Sequence, residues 1–403
     1  MREIIYVWNY REWGGAQVYF MSLMKEAKKE FNVTALLPSD SEQKILQYLK
    51  ALEIPFEFLP PSPTLNTTKS LIAKISNRLT VLQSENRLVA NILSRGDLAN
   101  KIVHIDLGFW QSSLTLFRLC MKTNVFFTVH TGLPFYDGWR GLRWKIKGKI
   151  LSRFSSLHLL SSNNNAKNGL KPYISSKKFD QVEVTYSGID PVEIARVEES
   201  RIVNNEVRQR YGLLQDTTIL MTVGQFIERK GCWVLLESLK RLRAVREDFA
   251  LVWLSTTMPD TETMNRIADY GLGNSFRIMD ADEIGETRKD MLTLLSIADI
   301  FVLASLQEGL PIALVEAMAL GLPCIATNVN AIPEAIENEK NGMLVPSNDP
   351  MRLAEAVISL MNDPQQRKFL GAAAKKTALG KFNEKITAKR TLKLYNDVWQ
   401  SSR

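Results

Sequence analysis

Cysteine and histidine are both scarce, with three of each in 403 residues. Cys120, Cys232 and Cys324 lie far apart, with no CxxC and no neighbouring histidine. That spacing argues against a disulfide framework or a zinc cluster and fits a reducing, cytoplasmic compartment. Long apolar runs are missing too. Residues 1–10 (MREIIYVWNY) hold too short a run for a signal peptide. The longest greasy stretch, 300–326, is interrupted by Glu308 and Glu316, so no membrane span is expected. No GxxxxGKS/T motif occurs, and Gly14–Gly15 lacks a third glycine at dinucleotide spacing. P-loop and nicotinamide sites are therefore disfavoured. What remains is a globular composition, 45% hydrophobic and 23% charged, which excludes a disordered or fibrous chain. The length fits two or three domains.

Acidic residues are absent from one long segment. The formal net charge is +8, and all of the excess lies in the first 200 residues, with 26 basic against 18 acidic side chains. From Arg140 to Lys178 there are ten basic residues and no acidic one, with Trp139, Trp144 and Phe154 close by or among them. A basic stretch with interleaved aromatics suits an anionic membrane surface or a phosphorylated substrate. The plainer reading is a solvated helix face with core tryptophans. No nucleic-acid module accompanies the patch. Arg140, Arg143, Trp144, Lys145 and Lys147 are its candidate acceptor or membrane contacts, and Gly14 and His104 are further acceptor candidates.

Short apolar, β-branched runs alternate with helical patterns along the chain. They fall at 3–8, 32–37, 56–59, 101–105, 124–129, 156–160 and 182–186, then at 218–224, 249–255, 275–279, 300–305, 323–327 and 342–346. Such runs read as parallel strands covered on both faces, hence α/β architecture with two doubly wound domains. The expected domains are 1–195 and 205–382, joined by a polar linker between Gly188 and Asn205. An amphipathic helix in 383–403 is expected to pack back on the first domain. Ligands of such folds bind at the carboxyl ends of strands, here in a crevice between the domains.

The richest loop follows the run at 300–305, in SLQEGLPIALVEAMALGLP (305–323). Glu308–Gly309 reads as a turn, Pro311 as the first helical position and Gly321 as the stop. The helix start would offer backbone N–H groups around Gly309, Leu310 and Pro311's neighbour Ile312 to an anion. Glu308 would sit at the mouth and Glu316 deeper, both suited to sugar hydroxyls. In VGQFIERKGCWVLLESL (223–239), Lys230 precedes a helix and can reach a phosphate as a point charge. Gly14–Gly15 follows the first strand. His130 ends the run NVFFTV and would face the crevice, whereas His158, inside a strand, reads as core. Asp280–Ala281–Asp282 resembles a metal-binding DxD, but three residues arise easily by chance and no metal is expected.

On these residues the chain resembles the retaining GT-B glycosyltransferases of glycosyltransferase family four. Glu308 to Glu316 looks like the family's paired-glutamate motif, and LPCIATNVNAIPEAIENEKNGMLVP (322–346) like the segment after it. VGQFIERKG, the GGAQ loop, TVHTG and LLSSNNNAKNGL (159–170) resemble its other landmarks. The resemblance implies two Rossmann-like domains facing a central crevice, with acceptor on the first and sugar nucleotide on the second. It further implies a metal-independent hexosyltransferase without cofactor, using a UDP- or GDP-linked sugar in surface polysaccharide or glycolipid biosynthesis. Glu316 would hold ribose hydroxyls and Glu308 the donor sugar. Lys230, Gly15 and the N–H groups near Gly309 to Ile312 would neutralise the diphosphate, and His130 would lie by the transferred sugar. Gln225 stands where the family carries an arginine, and Arg229 is the nearest substitute. LSTTMPD (254–260) replaces a glycine-rich turn. The competing readings are a two-domain sugar-nucleotide epimerase or hydrolase, and a non-catalytic nucleotide-sugar binder. The expected location is cytoplasmic, peripheral on the inner membrane face where the basic stretch meets lipid.

Overall fold

The computed structural model describes residues 2–8, 14–61, 70–106, 114–132, 136–199, 208–209, 216–285 and 288–401. The chain divides into two compact units, Met1–Ser187 with Lys385–Arg403, and Gly188–Glu384. The first unit holds seven strands: β1 (Glu3–Trp8), β2 (Asn32–Pro38), β3 (Phe56–Leu59), β4 (Lys101–Asp106), β5 (Asn124–Val129), β6 (Leu157–Ser161) and β7 (Glu183–Val184). The second holds β8 (Thr218–Val223), β9 (Phe249–Ser255), β10 (Phe276–Asp280), β11 (Ile300–Leu303), β12 (Cys324–Thr327) and β13 (Met343–Val345). Nearly every residue of β1, β4, β5, β8 and β11 is buried, which is why these runs are continuously apolar instead of alternating.

Both sheets are parallel throughout, in the orders β3-β2-β1-β4-β5-β6-β7 and β10-β9-β8-β11-β12-β13. In each, the chain winds outward from its first strand, then returns to that strand's other side. The reversal falls between β1 and β4, and between β8 and β11. Loops leaving neighbouring strands at such a point turn to opposite faces, so the strand ends there remain open for a ligand. Among the described residues no helix is long and apolar enough to cross a membrane.

The last helix, Glu384–Ser401, lays Ala388, Leu392, Tyr395 and Trp399 into the core of the first unit beside Tyr6, Trp8 and Phe126. There it corrects one expectation. His104, a candidate acceptor contact, is completely buried in the middle of β4. Its Nδ1 lies 2.5 Å from the Tyr395 hydroxyl and its Nε2 2.7 Å from Thr128 Oγ1, so both ring nitrogens are taken up within the core. Burial, reinforced by His130, pulls its pKa down to about 3, and burial pulls partly buried His158 down to about 4. Unfolded, each binds a proton near pH 6.5. The unfolded chain therefore binds more protons between that pH and the folded values, and stability falls as pH drops through this window. Urea unfolding at pH 7.5 and pH 5 is expected to show a lower free energy at pH 5, with a smaller drop in a His104→Gln variant.

A second correction concerns the linker. Residues 188–199 are not featureless: Pro191–Glu199 is a helix with Ile194 and Val197 buried, and it belongs to the second unit. Proline is suited to a helix start, and the apolar pair three residues apart supplies one buried face. The boundary falls at Ser187/Gly188 instead of near residue 195. Residues 200–205 of the expected linker lie outside the described residues.

Candidate active site

The site is built at the switch point of the second unit, where the loops after β8 and β11 lie side by side. A 3-10 turn, Glu228–Lys230, ends at Gly231, which has φ +69 and precedes the helix Cys232–Arg243. A Cβ on Gly231 would stand 1.9 Å from the carbonyl oxygen of Ala304, just past β11. Only glycine satisfies both the left-handed backbone and this close approach. The amides of Leu306 and Gln307 donate to the Arg229 carbonyl at 2.9 and 3.4 Å, lacing the two loops together. Gly231→Ala is expected to destabilise the protein by about 2–4 kcal/mol through left-handed strain and the steric clash, measurable by denaturant unfolding.

This lacing brings Lys230 and Glu308 into contact although they are 78 residues apart in sequence. Lys230 Nζ donates to Glu308 Oε1 at 2.6 Å, and Ser305 Oγ donates to the same oxygen at 2.7 Å. Arg229 Nη1 lies 3.4 Å from Glu308 Oε2 and donates to the Gln307 carbonyl at 3.1 Å. The Glu308 amide donates to Asn330 Oδ1 at 3.1 Å. Glu308 is only 7% exposed, so its charge is held by these donors instead of by water. Arg229, carrying the charge that Gln225 lacks, thus sits at this carboxylate. Gln225 itself is half-buried just after β8.

The helix after Glu308 runs Ile312–Ala319, with Pro311 as its extended N-cap at φ −69 and ψ 120. The expected start was one residue earlier; extended ψ keeps Pro311 outside the helical turn. No side chain caps the first turn. Its leading N–H groups, next to half-exposed Gly309, are free to meet an anion with the positive end of the helix dipole. Gly321, at φ +75, follows the helix end as expected.

Glu316 is 3% exposed, one turn inside this helix. Its Oε1 accepts from Arg288 Nε at 2.7 Å and lies 2.6 Å from Nη2, a two-pronged contact. Arg288 Nε also lies 3.7 Å from Glu193 Oε2, whose carboxyl burial pushes above its usual range. Arg288, Glu193, Ser305 and Asn330 were not found in the sequence, where only their spatial neighbours carry a motif. At β10, Asp280 ends the strand and Ala281 opens a short helix; the side chain of Asp282 lies outside the described residues. Among the described residues no three His, Cys, Asp or Glu side chains form a metal-binding group. In the replaced turn, Ser255 Oγ accepts from the Phe226 amide and donates to Thr257 O, tying 254–260 to the loop after β8.

In the first unit, Gly14 is the N-cap and Gly15 the first residue of the helix Gly15–Ala27, with no side-chain cap. Residues 9–13, between β1 and this helix, lie outside the described residues. His130 follows β5 directly, and its Nε2 is 3.3 Å from Asp106 Oδ1 at the end of β4. The buried Nε2 makes no aligned hydrogen bond. The ring meets Tyr19 edge-on at 5.3 Å, and the His130 carbonyl accepts from Asn163 Nδ2 at 2.9 Å. Asp106 is 2% exposed and was missed; the available signal was an acid closing an apolar strand at a switch point.

The first part of the basic segment forms the helix Gly138–Leu151, and the rest runs through β6 and the short helices Asn164–Leu170 and Ser176–Asp180. Arg140, Arg143 and Lys145 are exposed, but Trp144 and Lys147 turn partly inward. Trp144 stacks on Tyr136, and the Lys147 ammonium lies 5.0 Å from the Trp144 ring and 5.7 Å from that of Phe117. Burial brings the Lys147 pKa down to about 8, with Glu85 opposing the shift. As surface contacts, Trp144 and Lys147 are therefore corrected: the helix packs through them.

Residues 203–377 match the family model of glycosyl transferases group 1. The chain is 25% identical over 231 residues to the capsular polysaccharide biosynthesis glycosyltransferase CapM of Staphylococcus aureus, covering 57% of this chain and 59% of CapM. Matches to the first curated relatives span only 48% to 59% of their lengths. A glycosyltransferase from Rickettsia africae superposes with a TM-score of 0.76 at 18% identity, covering 98% of each chain. HepE of Anabaena, crystallised with UDP-glucose, superposes at 0.75 and 15% identity, covering 98% of this chain and all of HepE. The chain thus has the GT-B fold, and the pattern of glycosyl transferases group 1 coincides with the unit that holds Lys230, Glu308 and Glu316.

Proposed function

We propose that the protein is a retaining glycosyltransferase that moves a hexose from a nucleoside-diphosphate sugar to a glycan or lipid-linked acceptor, in surface polysaccharide or glycolipid biosynthesis. The observation that carries the reading is the meeting of Lys230 and Arg229 with buried Glu308, beside an uncapped helix start and within the matched segment. HepE binds UDP-glucose on the same fold, which supports a nucleotide-sugar donor here.

Departure of a nucleoside diphosphate leaves positive charge on the sugar and adds negative charge to the leaving group. Fixed donors aimed at that charge stabilise the transition state without reorganising. Lys230, Arg229 and the N–H groups of Gly309, Leu310 and Ile312 are assigned to the diphosphate, so the reaction proceeds without a metal. Glu308 takes donor-sugar hydroxyls and orients Lys230; Glu316, aligned by Arg288, takes the ribose hydroxyls. Gly15, for the diphosphate, and His130, for the transferred sugar, rest on the family resemblance alone. The protein works in the cytoplasm, at the inner face of the membrane.

The test is a screen of UDP- and GDP-linked sugars for donor hydrolysis and for transfer, with and without EDTA, followed by proton NMR of the product's anomeric centre. Turnover that survives EDTA and keeps the donor's configuration supports the reading. Loss of activity with EDTA, or inversion, overturns it.

A further inference from the structure

The helix Gly138–Leu151 is amphipathic the wrong way round for a helix that only packs on its own domain. Its inward face carries two glycines. A Cβ on Gly141 would stand 2.0 Å from the Tyr136 carbonyl oxygen, and one on Gly148 would stand 2.0 Å from that of Tyr173. Gly141 thus makes room for the chain entering the helix, Gly148 seats the helix on the segment at Tyr173 by close backbone contact, and Leu151 is fully buried at its end. Its large apolar side chains point the other way. Trp139 is 82% exposed, Leu142 46%, Ile146 51% and Ile150 37%.

At 3.6 residues per turn these four side chains fall within a stripe about 80° wide. Lys145 and Lys149 border the stripe on one side, and Arg143 and Arg140 on the other; all four are exposed. Long basic side chains can lie along such a stripe and lift their charges toward phosphate groups at its rim. The nearest acids in sequence are Asp137 and Asp180, outside the acid-free segment that holds the ten basic residues. A protein partner covering this stripe would need its own acidic border, whereas an anionic bilayer offers an apolar interior beneath a negative surface.

We propose that this helix is the docking face for an anionic lipid bilayer, lying in the plane of the interface. Trp139, Leu142, Ile146 and Ile150 enter the acyl boundary, and Arg140, Arg143, Lys145 and Lys149 engage lipid phosphates. The proposal rests on the transferase reading only for its purpose, which is to hold the protein beside a lipid-linked acceptor. The surface differs from that expected from the sequence. Trp139 takes the place of Trp144, and Lys149 that of Lys147.

The test is flotation of the full chain with phosphatidylglycerol–phosphatidylcholine vesicles and with phosphatidylcholine vesicles alone. Binding is expected only to the anionic vesicles, weakening as salt rises. A Lys145→Glu/Lys149→Glu variant should bind about thirtyfold more weakly, and Trp139→Ser/Ile146→Ser should lose partition at all salt concentrations. Both variants should keep the wild-type melting temperature and its shift with added UDP, since none of the four residues supports the core or the nucleotide site. Absence of flotation, equal binding to neutral vesicles, or anionic binding that survives both variants would overturn the proposal. So would a concentration-dependent dimer abolished by Trp139→Ser/Ile146→Ser, which would assign the face to a second copy. Failure of the transferase reading would register separately, as no thermal shift and no turnover with any sugar nucleotide.

Discussion

Lys230→Ala is expected to lower turnover about a hundred- to a thousandfold at saturating donor. The lysine donates to Glu308, which precedes the uncapped helix start, and the proposed reaction has negative charge grow there as the diphosphate departs. Deleting one preorganised donor of that kind costs about 2.7–4 kcal/mol in the transition state. The same change leaves buried Glu308 with Ser305 and the more distant Arg229, so some stability is lost as well. The two effects separate in a Lys230→Ala/Glu308→Gln variant. Removing the orphaned charge should restore melting temperature while turnover stays low. Steady-state kinetics beside thermal unfolding check both; near-normal turnover in folded Lys230→Ala would remove the lysine from the reaction.

Glu316→Ala should act on a different quantity. Ribose contacts are equal in ground and transition states, so losing them weakens donor binding and leaves the chemical step alone. Hydrogen bonds to a charged group contribute about 1.5–3 kcal/mol, which corresponds to about a ten- to hundredfold rise in donor Kd. Turnover at saturating donor should stay within a few fold of wild type. Arg288 loses its two-pronged partner in this variant, so Arg288→Ala should reproduce part of the affinity loss through a misaligned Glu316. Calorimetric titration with the nucleoside diphosphate, set beside initial rates, distinguishes this pattern. A large fall in turnover at unchanged affinity would contradict the ribose assignment.

The strands were legible because parallel strands buried on both faces leave uninterrupted apolar runs, as in IFVL of β11, where every residue is buried. Local punctuation was legible too: Gly321 ends its helix in the left-handed region, and Pro311 stands at the helix start within one residue. What could not be read was which loops meet. Glu308 and Lys230 are joined by the adjacency of β8 and β11, a property of strand order that no local spacing carries. Arg288 reaches Glu316 from 28 residues upstream and has no motif of its own.

Histidine roles turned on a few positions along a strand. His104 lies inside β4, where a helix from the far end of the chain covers it, whereas His130 falls just beyond β5. The basic helix shows the same limit. The pattern GWRGLRWKIKGKIL allows either tryptophan to face inward, and the choice goes with Gly148, which admits the carbonyl of Tyr173. The helix at Pro191–Glu199 is hidden in the sequence for want of length: nine residues with one buried pair give too little periodicity to declare it.

Co-crystals with a nucleoside-diphosphate sugar offer the most direct measurement. The β-phosphate should lie within hydrogen-bond reach of Lys230 Nζ and of the amides between Gly309 and Ile312, with the ribose on Glu316. Density for the phosphates away from that helix start, or a divalent cation bridging them to Asp280, would contradict the account.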